Sequence, residues 1–150
     1  MHLTDLVQNF KAEKLAFSIP EEIVAIYLYG SVITGRLREE SDIDIAILPL
    51  HDTTGVERLV LIAKMESIVS KILKEKSILR EISIADLRGR FIPITLQYKI
   101  VTEGTLLYEK DAIERSEFEN AVKREFFDLF LVKISQNRKI AKTTRSVFAN

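Results

Sequence analysis

The chain has 150 residues, 47% of them apolar and 29% charged, which suits one soluble domain with a real core. Its 22 basic and 22 acidic residues cancel, so the molecule as a whole has no attraction for nucleic acid or membrane, and without cysteine it has no disulfides or thiolate metal sites. No apolar run reaches the roughly 18–20 residues of a bilayer span, and the opening Met-His-Leu-Thr-Asp lacks the layout of a secretory signal, so the expected compartment is the cytoplasm.

Leu3, Leu6, Val7 and Phe10 recur at helical spacing and predict a short amphipathic helix over residues 4–15. Ile23 to Tyr29 is β-rich and apolar on both faces, the pattern of a buried strand. A polar turn from Gly30 to Ser41 leads to a second strand, Asp42 to Leu48. Thr54 and Glu57 form a capping box for a helix over 55–74, with Leu59, Ile62, Met65, Val69, Ile72 and Leu73 as its buried stripe. Ile78 to Ala85 reads as a third strand. Pro93 suits the first turn of a helix running to about Thr102, and Thr105 to Tyr108 is short enough for an edge strand. From Asp111 the pattern is helical, with Phe118, Val122, Phe126, Leu129 and Phe130 as core positions. Acids open this helix and bases close it, which complements its dipole.

This order predicts an α/β (α+β) fold, a small mixed sheet flanked by helices. With no internal repeat or linker, the expectation is a single domain over 1–150, with a core at about 20–110 and a helical extension at about 111–145.

The chemistry concentrates in Gly30-Ser31 and, ten residues on, Asp42-Ile43-Asp44. Side chains alternate along a strand, so Asp42 and Asp44 share one face while Ile43, Ile45 and Ile47 take the other. Two neighbouring carboxylates repel unless a cation sits between them, and their hard oxygens suit Mg²⁺ bridged to substrate phosphates. Gly30 lets a ligand approach the backbone, and Ser31 with the amides after it makes an anion site. Arg36 is placed to clamp phosphate; Arg38 reads as a solvated turn residue. Tyr27 and Tyr29 are expected in or near the core, and His2 and His51 have no partner acids at metal spacing.

Gly30-Ser31-x10-Asp42-x-Asp44 resembles the signature of the polymerase-β-type nucleotidyltransferases, and within them the minimal nucleotidyltransferases, the MNT or MntA-like antitoxins. Glu103-Gly104-Thr105-Leu106-Leu107-Tyr108-Glu109 is similar to the closing segment of that group. The resemblance implies Mg²⁺ as cofactor, ATP as nucleotide donor, Asp42 and Asp44 as catalytic metal ligands, and Gly30, Ser31 and Arg36 as nucleotide contacts. It also implies a partner, a HEPN ribonuclease toxin, which such antitoxins bind and in some cases inactivate by adding AMP to a tyrosine. The long carboxy-terminal helix fits partner binding or oligomer formation.

One position departs from the pattern. The family places a third metal-binding acid on the next strand, and here Ser83 occupies that place in Ile82-Ser83-Ile84-Ala85-Asp86-Leu87. Glu81 shares the face of Ser83; Asp86 falls on the other. Two further functions therefore stand beside protein AMPylation: an antitoxin that acts by occlusion through a weakened site, and transfer to a small molecule of the aminoglycoside type.

Overall fold

The computed structural model describes residue 8, residues 18–30, 42–75, 77 and 79–148, with side chains excepted over 143–148. The expected helix over 4–15, apart from Gln8, and the Gly30–Ser41 turn beyond its first residue lie outside the described residues. Elements follow in the order β1 (Ile23–Tyr29), β2 (Ile43–Pro49), α1 (Gly55–Glu75), β3 (Ile82–Asp86), α2 (Ile94–Glu103), β4 (Thr105–Glu109) and α3 (Ala112–Phe148). The strands form one sheet in the order β3-β2-β1-β4. β1 pairs antiparallel with β2 and β4, while β3 runs parallel to β2, as the crossover through α1 requires. The mixed sheet with flanking helices is the architecture that the pattern of periodicities implies.

β1 is apolar on both faces because both are covered. Ile26, Leu28, Ile43, Ile45 and Ile47 pack under α1. Tyr27, Ala46, Leu48, Leu87 and Ile100 form a second core on the opposite face, beneath α2 and the first half of α3. A register shift between Ile23 and Ala25 lets Val24 and Ala25 both join this second core.

The capping box of α1 forms reciprocally: the Thr54 amide donates to Glu57 Oε2 at 2.8 Å and the Glu57 amide to Thr54 Oγ1 at 3.2 Å. Its buried stripe is Leu61, Met65, Val69, Ile72 and Leu73. Leu59 is 67% exposed, because it lies two residues, or about 200°, from Leu61 and so faces solvent. β3 begins at Ile82 rather than Ile78, which is outside the described residues. Pro93 caps α2 from just outside its first turn.

α3 departs most from expectation. Val122 is buried and Phe118 and Phe126 are half-buried, but Leu129 and Phe130 are exposed, Phe130 at 51%. The helix runs past the body that its first half packs on, so the apolar positions of its second half meet no core. No helix among the described residues is long and apolar enough to cross a membrane.

Candidate active site

Antiparallel pairing sets the carboxyl end of β1 beside the amino end of β2, with Tyr29 opposite Asp44 and Leu28 opposite Ile45. Gly30 and the acid pair, twelve residues apart in the chain, therefore meet at one end of the sheet. Gly30 has φ +80°, a conformation that costs a residue with a Cβ about 1–2 kcal/mol. It also lies directly against the Asp44 side chain: a Cβ there would overlap Oδ2 and stand 3.2 Å from Cγ. Both the backbone and the neighbouring carboxylate thus demand glycine.

Asp42, just ahead of β2, is exposed, while Asp44 is half-buried on the face of Ala46 and Leu48. Burial, and then the charge of Asp42, push the Asp44 carboxyl above its ordinary value. Tyr29 is shifted upward by its own burial and then by the charge of Asp44. No described side chain or amide donates a hydrogen bond to Asp44. A half-buried carboxylate facing another acid, with no donor among the described residues, concentrates negative charge, and its hard oxygens are the donor set that Mg²⁺ takes.

Ser83 stands beside Asp44 in the parallel register of β2 and β3, and the Ile43 amide donates to the Glu81 carbonyl at 2.9 Å. Ser83 thus takes the place where a third acid would complete the pair, and Glu81 flanks Asp42 at the exposed margin. Among the described residues no third His, Cys, Asp or Glu joins Asp42 and Asp44 in a metal-binding group. Asp86 is committed elsewhere: its Oδ2 accepts from Arg58 Nε at 2.8 Å and its Oδ1 from the Arg88 amide at 2.9 Å. It pins β3 to α1 on the opposite face, as strand alternation requires. Ser31 and Arg36, and Arg38 with them, lie outside the described residues.

His51 takes part in a different structure, accepting or donating at 3.0 Å between its Nδ1 and Glu114 Oε1. Glu114 also accepts from Arg88, and Tyr27 donates to Glu119 at 2.6 Å while Arg115 bridges Glu119 and Glu109. This network fastens the start of α3 to β1, β4 and the loop after β2. Its partners are up to 92 residues apart, so no local spacing announces it.

A glycine turn packed on the second acid of Asp-x-Asp, across two antiparallel strands, is a nucleotidyltransferase arrangement, and the family model described as "Polymerase beta, Nucleotidyltransferase" matches residues 13–113. The chain belongs to the polymerase beta nucleotidyltransferase family. Among solved structures, this nucleotidyltransferase is similar to a toxin–antitoxin complex with AMP-PNP, at 22% identity and TM-score 0.58, over 89% of this chain and 98% of that one. It is also similar to a complex of a tri-AMPylated Shewanella oneidensis HEPN toxin with an MNT antitoxin, at 20% identity and TM-score 0.55, over 93% and 99% of the two chains. An MntA–HepT toxin–antitoxin complex resembles it at 20% identity and TM-score 0.54, over 91% and 98%. At these identities the likeness is one of fold. No curated protein matches the chain.

Proposed function

We propose that this nucleotidyltransferase is a single-domain cytoplasmic antitoxin that binds a HEPN ribonuclease toxin and transfers AMP to it from ATP. The observation that carries the reading is Asp44: a half-buried carboxylate with no donor among the described residues, its carboxyl raised by burial and then by Asp42, and pressed against Gly30. Asp42 and Asp44 would hold Mg²⁺. Bound there, the ion supplies charge neutralisation at the transferring phosphoryl group. Gly30 makes room for the Asp44 carboxylate, Ser31 would offer its hydroxyl and amide to the triphosphate, and Arg36 would balance phosphate charge. In the transfer, the acceptor hydroxyl bonds to the α-phosphorus, its proton passes to a base or solvent, and pyrophosphate leaves. The toxin–antitoxin neighbours, one with AMP-PNP and one with a tri-AMPylated toxin, support the choice of donor and acceptor.

Ser83 favours a second reading. With serine beside Asp44 where the family carries an acid, the site binds nucleotide but turns over slowly, and the protein neutralises its partner by covering it.

Incubation with Mg²⁺, ATP labelled at the α-phosphate and a HEPN protein, sought as the product of the neighbouring gene, tests both. Label on a HEPN tyrosine, lost on changing Asp42 and Asp44 to Asn, is the expected result. A preparation that binds the HEPN protein yet transfers no label would overturn the enzymatic reading. Full neutralisation by the double Asn variant would establish occlusion.

A further inference from the structure

Asp44 has a hydroxyl-bearing neighbour on each side. Its partner on β1 is Tyr29 and its partner on β3 is Ser83. Directly paired residues share a face of a sheet, so Tyr29, Asp44 and Ser83 form one row across three strands. The next row on that face is Tyr27, Ala46 and Ala85, which packs in the second core. The Tyr29 row is thus the line where this core gives way to polar side chains, at the end of the sheet that carries Gly30 and Asp42.

The two hydroxyls differ in how firmly they are held. Ser83 is exposed, on the edge strand β3. Tyr29 is half-buried on an interior strand, and its ring packs against the second core. Its Cβ stands about 5 Å from that of Asp44, the usual spacing of cross-strand partners. Tyr27, two residues earlier on the same face, gives its hydroxyl to Glu119 at 2.6 Å. The Tyr29 hydroxyl has no such partner among the described residues, Asp44 included, and it is not sealed in the core either. Packing alone would be met by phenylalanine, whereas a half-buried tyrosine ordinarily uses its hydroxyl.

Asp42, Asp44 and, at the margin, Glu81 give this end of the face oxygens that accept hydrogen bonds and do not donate them. A phosphate chain held there through a cation has further oxygens that need donors, and a hydroxyl supplies one. We propose that Tyr29 is a nucleotide-binding residue: its hydroxyl donates to a phosphate oxygen of the ATP whose Mg²⁺ Asp42 and Asp44 hold. The inference rests on the reading of the acid pair as a nucleotide site. It adds a donor that lies outside the Gly30-Ser31 and Asp42-x-Asp44 pattern. Because core packing fixes the ring before the nucleotide arrives, the bond forms with little loss of side-chain freedom.

Calorimetric titration of the full-length protein with Mg-ATP and with Mg-tripolyphosphate tests the assignment. Tyr29→Phe keeps the ring and removes only the oxygen. It should weaken both ligands about 10-fold, as loss of a hydrogen bond to a charged acceptor does. Its melting temperature, and the rise of that temperature with Mg²⁺ alone, should match the wild type. Tyr27→Phe should do the reverse, melting lower while binding both ligands as the wild type does. Wild-type affinity for Mg-ATP in Tyr29→Phe would overturn the inference while leaving the nucleotide reading intact. A loss confined to Mg-ATP would assign the hydroxyl to the base or ribose, and a lost response to Mg²⁺ alone would assign it to the metal. Either result overturns the phosphate contact, as would a wild type that binds Mg-ATP but not Mg-tripolyphosphate. A wild type that binds neither overturns the inference and the nucleotide reading together. Tyr29-dependent binding without label transfer to a HEPN protein supports the inference and counts against turnover alone.

Discussion

Gly30 and Asp44 are in mutual contact: the space a Cβ on Gly30 would need is filled by the Asp44 carboxylate. The glycine at the end of β1 thereby fixes where the second acid of β2 can stand. Gly30→Ala must adopt φ near +80° and move that carboxylate at the same time. The variant should lose about 1–3 kcal/mol of stability and bind Mg-ATP weakly. Thermal melts with and without Mg-ATP measure both effects.

Asp44→Asn should separate stability from function. The Asp44 carboxyl is raised by burial and by Asp42, so the folded protein holds this proton to higher pH than the unfolded chain does. Stability is then lost as pH climbs through the raised value and stays lost above it. Without divalent cation at about pH 7, the Asn variant should melt above the wild type, and the difference should vanish in acid. Adding Mg²⁺ should raise the wild-type melting temperature and leave the variant's unchanged. A wild-type advantage in metal-free buffer at neutral pH would contradict this.

Ser83→Asp places a third carboxylate beside Asp44. It should tighten Mg²⁺ binding and speed label transfer, while lowering the metal-free melting temperature at neutral pH through added repulsion. Asp86→Ala is the counterpart: removing the anchor of Arg58 should cost about 1–3 kcal/mol and leave Mg²⁺ affinity unchanged. Calorimetric titration of Mg²⁺ into each variant distinguishes them.

Tyr27 and Glu119 join β1 to α3 through a 2.6 Å hydrogen bond. Burial and the carboxylate of Glu119 hold the phenol proton far above its usual range, so this bond persists across the working pH. Tyr27→Phe leaves Glu119 with Arg115 and should cost about 1 kcal/mol. Glu119→Ala strands a buried hydroxyl and should cost more, about 1–3 kcal/mol, and the double variant should cost less than the sum. Denaturant midpoints of the three proteins provide the comparison.

Most of the sheet could be read from the chain because its signals are local. Ile23–Tyr29 is apolar on both faces since a core covers each face of the sheet there, and the Thr54–Glu57 box marks the start of α1 within a residue. The pairing of Asp42 with Asp44 and the opposite facing of Asp86 follow from strand alternation alone. Leu59 and Phe130 lie outside the core that their spacing predicts, because helical spacing tells which residues share a side, but not which side meets the body. The Gly30–Asp44 contact and the Glu114, Arg115 and Glu119 network depend on strand register and on distant segments, which periodicity does not encode.

β1 lies between β2, which follows it closely in the chain, and β4, which begins 76 residues after β1 ends. During synthesis the strand that carries Gly30 has one open edge until residues 105–109 emerge, and that edge is apolar and prone to pairing with other chains. The acid-pair end of the sheet thus reaches its final form late, after a long loop has closed, and folding should be slower than in a helical protein of this size. Co-translational pulse labelling should find the β1 amides that face β4 unprotected until β4 has left the ribosome, while those paired with β2 gain protection earlier.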